Sequence, residues 1–332
     1  MARDDNEKTF IGFWPADDNH SSLESLSVET NGTLDLTSRR ELQDTLFDFE
    51  TNEWHIIISK DYMCLIHLKS LEDTLNTERE NNRTGEIHQI SLGASRQIKF
   101  QYIEALNAIY FLIFSSCYTG RNNYFLHDFS EITIWQCLRI MYSATNRPLR
   151  RIQFGRASKK DMCRLGLCIE ENTEGFSKID PSIFKDAIHY WDIIFKQDLI
   201  SLAAVGTKIV SEHRLESYDL SVVLAWFEIE SWIMEFTRTL GIQTSRTNTN
   251  TGRIYYFGIK DVIDLFPAGT TISNLASELH LVREIRNNIA HRGAMPSHDE
   301  STTAINLFIR MFNIRSGLNL SVDLHRTPST GM

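Results

Sequence analysis

The chain has 332 residues and a mass of 38.4 kDa, with 42% hydrophobic and 23% charged residues. This composition excludes wholesale disorder and collagen-like or coiled-coil chains, and the length points to two domains. A net charge of −9 excludes a general nucleic-acid coater, whose affinity comes from phosphate contacts, but leaves room for a local basic site. The acidity is concentrated early: residues 1–150 hold 14 lysines and arginines against 22 acids.

The N-terminal residues contain no apolar stretch of the signal-peptide kind, and the densest apolar run, Ala108 to Phe114, is too short to span a bilayer. The five cysteines, Cys64, Cys117, Cys137, Cys163 and Cys168, form no CxxC pair. Neither a zinc ribbon nor a disulfide framework is indicated, and no spacing of ligand residues calls for a metal or other cofactor. The expectation is a cytoplasmic protein without a membrane partner.

Residues 1–175 read as a β-rich domain. The segments His55–Ser59, Tyr62–His67, Ile87–Leu92, Arg151–Phe154 and Cys163–Ile169 are short, apolar and rich in β-branched residues. Ile103–Phe114 fits a buried helix or a strand equally, because a continuous apolar run has no diagnostic period. Glu72–Arg83 is charged and Asn-rich, which predicts an exposed loop or short helix.

Residues 176–332 read as a helical bundle, so the whole is an α+β chain. Asp180-Pro181 predicts a helix start, followed by a helical pattern to about Val210. Asp219 opens a second helix, with Val222, Trp226, Ile229, Ile233 and Phe236 at helical spacing and Gly241 beyond its end. Thr244–Arg253 is predicted to be a polar loop. Lys260–Phe266 is a short helix ended by Pro267. Thr271–His291 is a third long helix, stopped by Gly293 and Pro296. Ser297-His-Asp-Glu300 is a capping-box pattern for a fourth, running to about Arg315 with Gly317 behind it.

The third helix carries the informative segment, Leu281-Val-Arg-Glu-Ile-Arg-Asn-Asn-Ile-Ala-His-Arg-Gly293. Leu275, Leu279, Val282, Ile285 and Ile289 form its apolar stripe, and Arg286 falls inside that stripe. A cation there is costly unless it finds a partner or a ligand. Asn287 and His291 are four apart and share a neighbouring face. Arg286 and His291 differ by about 140° and about 7.5 Å of rise on a regular helix. Either the helix end unwinds, or two copies meet to bring both groups to one atom.

An Arg, a polar residue, a few further residues and a His form the signature of the HEPN superfamily of helical-bundle domains, which this segment resembles through Arg286, Asn287 and His291. The same Arg-to-His spacings recur at Arg83/His88, Arg121/His127 and Arg292/His298, but only Arg286/His291 lies within a long amphipathic helix. The resemblance covers about residues 180–320 in helical layout. It implies a symmetric homodimer with a composite site and RNA as substrate, cleaved without a metal. In that chemistry His291 handles the 2′-hydroxyl proton, Arg286 faces the phosphate charge and Asn287 orients the reacting groups. Arg283 and Arg292 are candidate substrate contacts on the same helix.

Two further sets of residues belong to this reading. Arg147, Arg150, Arg151, Arg156, Lys159, Lys160 and Arg164 crowd one basic run interrupted by Phe154. Arg150, Arg151, Lys159 and Lys160 are candidate phosphate contacts there. Glu228 and Glu230 sit among aromatic residues, and either could pair with Arg286 or position His291. Phe10–Pro15 followed by Asn31–Leu34 is similar to the start of ApeA-like antiphage HEPN proteins. That likeness implies a sensing β domain controlling a toxic ribonuclease, with a phage component or an antitoxin as trigger. The rival expectations are an RNA- or nucleotide-binding regulator that does not cleave, and a dimeric scaffold whose β domain binds a partner.

Overall fold

A computed structural model of the chain describes residues 8–13, 27–28, 34–35, 45–59, 64–71, 92–119, 131, 138–142, 148–153, 181–322 and 324. The architecture is α+β: antiparallel strands dominate the early part and helices the later part. Contacts divide the chain into two compact units, Met1–Ala204 and Val205–Met332.

The first unit contains a six-stranded antiparallel sheet. Its strands are β1 (Lys8–Phe13), β4 (Thr45–Glu50), β5 (Trp54–Ser59), β6 (Cys64–Leu68), β7 (Leu138–Tyr142) and β8 (Pro148–Gln153), in the order β4-β5-β6-β1-β7-β8. Between β1 and β4, β2 (Ser27–Val28) and β3 (Leu34–Asp35) form a separate two-stranded pair. In β5 the residues Trp54 to Ile58 are all buried, His55 among them, so this strand is covered on both faces rather than on one. Strand β8 lies at the sheet edge and pairs Arg150 with Met141 and Arg151 with Ile140.

Helix α1 (Leu92–Thr119) packs on β1 and β6, and α2 (Pro181–Lys196) packs on α1. The Leu68 amide donates to the Tyr102 hydroxyl, and Trp54 meets Trp191 edge to face at 6.4 Å between ring centroids. Every residue from Ala105 to Ser116 is buried. The ambiguous run Ile103–Phe114 is therefore the interior of a buried helix. Leu92, expected to end a strand, instead begins this helix.

The second unit is helical. Helix α3 (Ile200–Arg214) crosses the division between the units, and α4 (Tyr218–Thr239), α5 (Ile259–Asp264), α6 (Thr271–Arg292) and α7 (His298–Ser316) follow. Helix α4 packs on α6 and α7, and α5 packs on α6. Trp226, Ile229, Leu279, Val282, Ile305 and Phe312 are among the buried apolar residues of this core.

Two further expectations need correction. The single helix predicted to Val210 is two helices, α2 and α3. They are separated at Asp198, which takes φ 56° while its amide bonds to the Phe195 carbonyl and the Leu199 amide to that of Ile194. That is the C-terminal helix stop usually built on glycine. The polar loop predicted over Thr244–Arg253 contains a strand: β9 (Ser245–Thr247) pairs antiparallel with β10 (Ile254–Tyr256). The expected strand Cys163–Ile169 and the expected loop Glu72–Arg83 lie outside the described residues, as do Lys159 and Lys160.

Candidate functional site

Helix α6 presents the Arg-Asn-His segment because both of its ends are firmly defined. The Thr270 hydroxyl caps the start by accepting from the Ser273 amide at 3.3 Å. Ile272, Leu275, Leu279, Val282 and Ile285 are buried along one stripe and fix the helix rotation. At the far end Gly293 adopts φ 61°, and its amide bonds to the Ile289 carbonyl at 3.0 Å. Only a residue tolerant of left-handed backbone ends the helix there without strain.

The helix remains helical through Arg292, so its end does not unwind around the motif. Arg286 and His291 keep the separation of about 140° that a regular helix imposes. Arg283, Asn287 and His291 instead form one ridge at steps of four residues. Arg286 joins this ridge from the side: its Nη1 donates to Asn287 Oδ1 at 3.1 Å. Arg283, Arg286 and Asn287 are partly buried, whereas His291 and Arg292 are exposed.

The electrostatics of the ridge are unbalanced. Among the described residues no carboxylate lies within ion-pair distance of Arg283, Arg286 or Arg292. The Nε of Arg283 is buried with no hydrogen-bond partner. A buried donor left unbonded is unfavourable by about 1–3 kcal/mol. Of the acids close in sequence, Glu278 binds Arg310, and Asp299 contacts His298 at 3.4 Å. Glu284 is exposed. Among the described residues, nothing neutralises the cationic donors of this ridge.

Glu228 and Glu230 do not join this site. The Trp226 indole donates to Glu230 Oε2 at 2.7 Å, which gives that carboxylate a structural partner. Glu228 is half-buried, and loss of solvation raises its carboxyl above the usual range while Arg315 opposes the shift. Neither glutamate bonds to Arg286 or His291. Arg150 and Arg151 lie on the edge strand of the first unit, whereas α6 belongs to the second.

Two other features of the second unit carry chemistry that the sequence reading passes over. A groove of about 270 Å³ is lined by Trp232, Glu235, Phe236, Thr239, Ile314 and Arg315, and it contains none of the motif residues. His213, Tyr218 and His298 form a cluster of rings that joins α3, α4 and α7, with His213 and His298 centroids 4.8 Å apart. His213 Nδ1 lies 2.8 Å from Ser301 Oγ, and His298 Nε2 lies 3.2 Å from the Leu324 carbonyl. Residues this far apart in sequence show no signal of meeting, and their role here is to tie helix ends together.

No group of three or more His, Cys, Asp or Glu side chains is placed to hold a metal ion among the described residues. No described helix is long and apolar enough to cross a membrane. Comparison of the chain with family models, with curated proteins and with solved structures finds no match.

Proposed function

We propose that the chain is an endoribonuclease that works as a homodimer and needs no metal, with Arg286 and Asn287 of one copy facing His291 of the other. The observation that carries this reading is the combination of unneutralised arginines, an exposed histidine and a regular helix that holds them apart. One regular helix aims Arg286 and His291 poorly at a single phosphate, and two helices packed about a two-fold axis would bring them to it. Leu281 at 50% exposure and Met295 at 73% leave large apolar side chains in water on α6 and in the turn behind it. A second copy would cover them.

The chemistry follows from the residue types. His291 takes the 2′-hydroxyl proton as that oxygen attacks phosphorus. Arg286 holds the phosphate oxygens while charge builds on them, and its bond to Asn287 keeps the guanidinium plane in place. The bond from phosphorus to the 5′-oxygen then breaks, and the leaving oxygen takes the proton from the imidazolium. The products are a 2′,3′-cyclic phosphate and a 5′-hydroxyl, and DNA, lacking the 2′-hydroxyl, is not cut. Arg283 and Arg292 extend the phosphate contact along the helix.

The test is digestion of total RNA in EDTA by the wild type, Arg286→Ala and His291→Ala proteins. Cleavage with cyclic-phosphate ends that both substitutions abolish supports the reading. Cleavage that both retain places the activity elsewhere. RNA affinity that survives His291→Ala, with no cleavage by any of the three, would instead make the chain a binding regulator. Toxicity on expression, relieved by His291→Ala, is the cellular counterpart and the point from which a phage or antitoxin trigger would be sought.

A further inference from the structure

The β9–β10 hairpin is the barest element of the second unit. Ile254, Tyr255 and Tyr256 are exposed at 57%, 46% and 81%. In a two-stranded ribbon, neighbouring residues alternate between faces, so these three leave both faces uncovered. Tyr255 stands directly across from Arg246, which is also exposed. A lone ribbon of this kind is marginal in water unless something covers it.

The ribbon is nevertheless tightly built. The Phe257 amide bonds to the Thr244 carbonyl at 2.9 Å, and the Asn248 amide to the Arg253 carbonyl at 2.8 Å. Asn248 Oδ1 accepts from the Asn250 and Thr251 amides, and Gly252 takes φ 67° to close the turn. The tyrosines are thus displayed on a fixed frame rather than on a loose loop, which lowers the ordering cost of any contact they make.

Charge identifies the partner. From Phe236 to Lys260 the chain carries Arg238, Arg246, Arg253 and Lys260 and no acid, within a protein of net charge −9. Pairing this ribbon with its own copy would bring like charges together without a counter-ion. An anion relieves that, and exposed tyrosines beside arginines suit unpaired bases beside phosphates.

We infer that the β9–β10 hairpin is a binding arm for single-stranded RNA, with Tyr255 and Tyr256 stacking on bases and Arg246 and Arg253 contacting phosphates. It shares its ligand class with the cleavage reading but stands on different residues. The hairpin leaves the C-terminal end of α4 and leads into α5, which His280 of α6 holds through Asp264 at 2.8 Å. Phe266, beyond α5, stacks on Phe236 of α4. Asp264, at the end of α5, is thus tied to the middle of α6 at His280, 11 residues before His291 or about 16 Å along the helix at 1.5 Å per residue. The arm uses none of the motif residues of α6, so its loss weakens binding and raises KM while leaving kcat alone.

The experiment measures anisotropy of a fluorescein-labelled 20-nucleotide mixed-sequence RNA strand against the full chain carrying His291→Ala, which blocks cleavage. Adding Tyr255→Ala with Tyr256→Ala is expected to weaken binding about 10-fold or more. Tyr255→Phe with Tyr256→Phe keeps the rings and is expected to restore it. Arg246→Gln with Arg253→Gln is expected to lower the slope of log affinity against log salt by about 1.4. Affinity unchanged by the alanine and glutamine pairs overturns the proposal. So does competition by polyglutamate as effective as unlabelled RNA, which would mark an acidic polypeptide as the partner. Loss of dimer on Tyr255→Ala with Tyr256→Ala, at unchanged RNA affinity, overturns it in favour of a second copy. The two readings fail separately: a wild-type protein that cuts nothing removes the cleavage site, and an affinity indifferent to the hairpin removes the arm.

Discussion

Helix α1 buries every side chain from Ala105 to Ser116, whereas α6 buries only Ile272, Leu275, Leu279, Val282 and Ile285 of its 22 residues. The first helix is enclosed by the sheet and by α2, and nothing charged occurs in that stretch. The second lies on its neighbours along one stripe, with the partly buried Arg286 at that stripe and Arg283, Asn287, His291 and Arg292 on its other faces. Both are long helices in one chain, and they differ in what their side chains are left free to do. A helix that is apolar all round is bound to its packing. A helix with a narrow buried stripe can carry charged groups without disturbing that packing. Substitutions should therefore act on stability in α1 and on RNA chemistry in α6.

The largest expected effect lies in α1. Phe111 is fully buried, and Phe111→Ala should destabilise the first unit by about 3–5 kcal/mol in denaturant unfolding. Tolerance of that change would dissolve the contrast. Next comes Arg286→Ala, expected to lower RNA cleavage about 100-fold to 1,000-fold while moving unfolding by no more than about 0.5 kcal/mol. A loss of stability that matched the loss of activity would make Arg286 a structural residue like those of α1. Ser297→Ala should cost about 1 kcal/mol, because it removes the reciprocal capping box that Ser297 and Glu300 form at the start of α7.

The smallest effect tests electrostatics within the same bundle. Burial raises the Glu228 carboxyl above its ordinary value of 4.5, so the folded state prefers its neutral form more than the unfolded state does. The stability tied to that neutral form is complete below the ordinary carboxylate value and is lost as pH rises through the raised one. Glu228→Gln should therefore raise Tm modestly near neutral pH, with the gain vanishing in acid. A fall in Tm at neutral pH would mean that the attraction of Arg315 outweighs desolvation.

What could be read ahead of the structure depended on how each feature is encoded. The capping pattern Ser297-His-Asp-Glu300 and the glycine stops Gly241, Gly293 and Gly317 are local, and the helix ends fall where these residues stand. Asp198 and Glu216 make the same left-handed stop at φ 56° and 60° with side chains that do not advertise it, so the break between α2 and α3 goes unseen. The hairpin hides because Thr and Asn dominate its turn, although Ile254-Tyr-Tyr256 behind Gly252 is a β-prone signal. The apolar run of α1 has no period to reveal its type. At the candidate site the sequence offers residue types and spacing. The Arg286–Asn287 and Trp226–Glu230 bonds join near neighbours on one helix, but spacing alone does not say which side chains turn toward each other, and the burial of Arg283 Nε depends on packing that only the folded chain assembles.

The central claim is that Arg286 and His291 act on one phosphate only when they come from different copies. Mixing Arg286→Ala protein with His291→Ala protein under conditions of subunit exchange tests it most directly. Each substituted homodimer should be inactive, and each mixed dimer should keep one intact pairing. The mixture should recover about a quarter of wild-type RNA cleavage. A mixture that exchanges subunits yet stays inactive would show that both groups act within one copy, and the composite site would have to be abandoned.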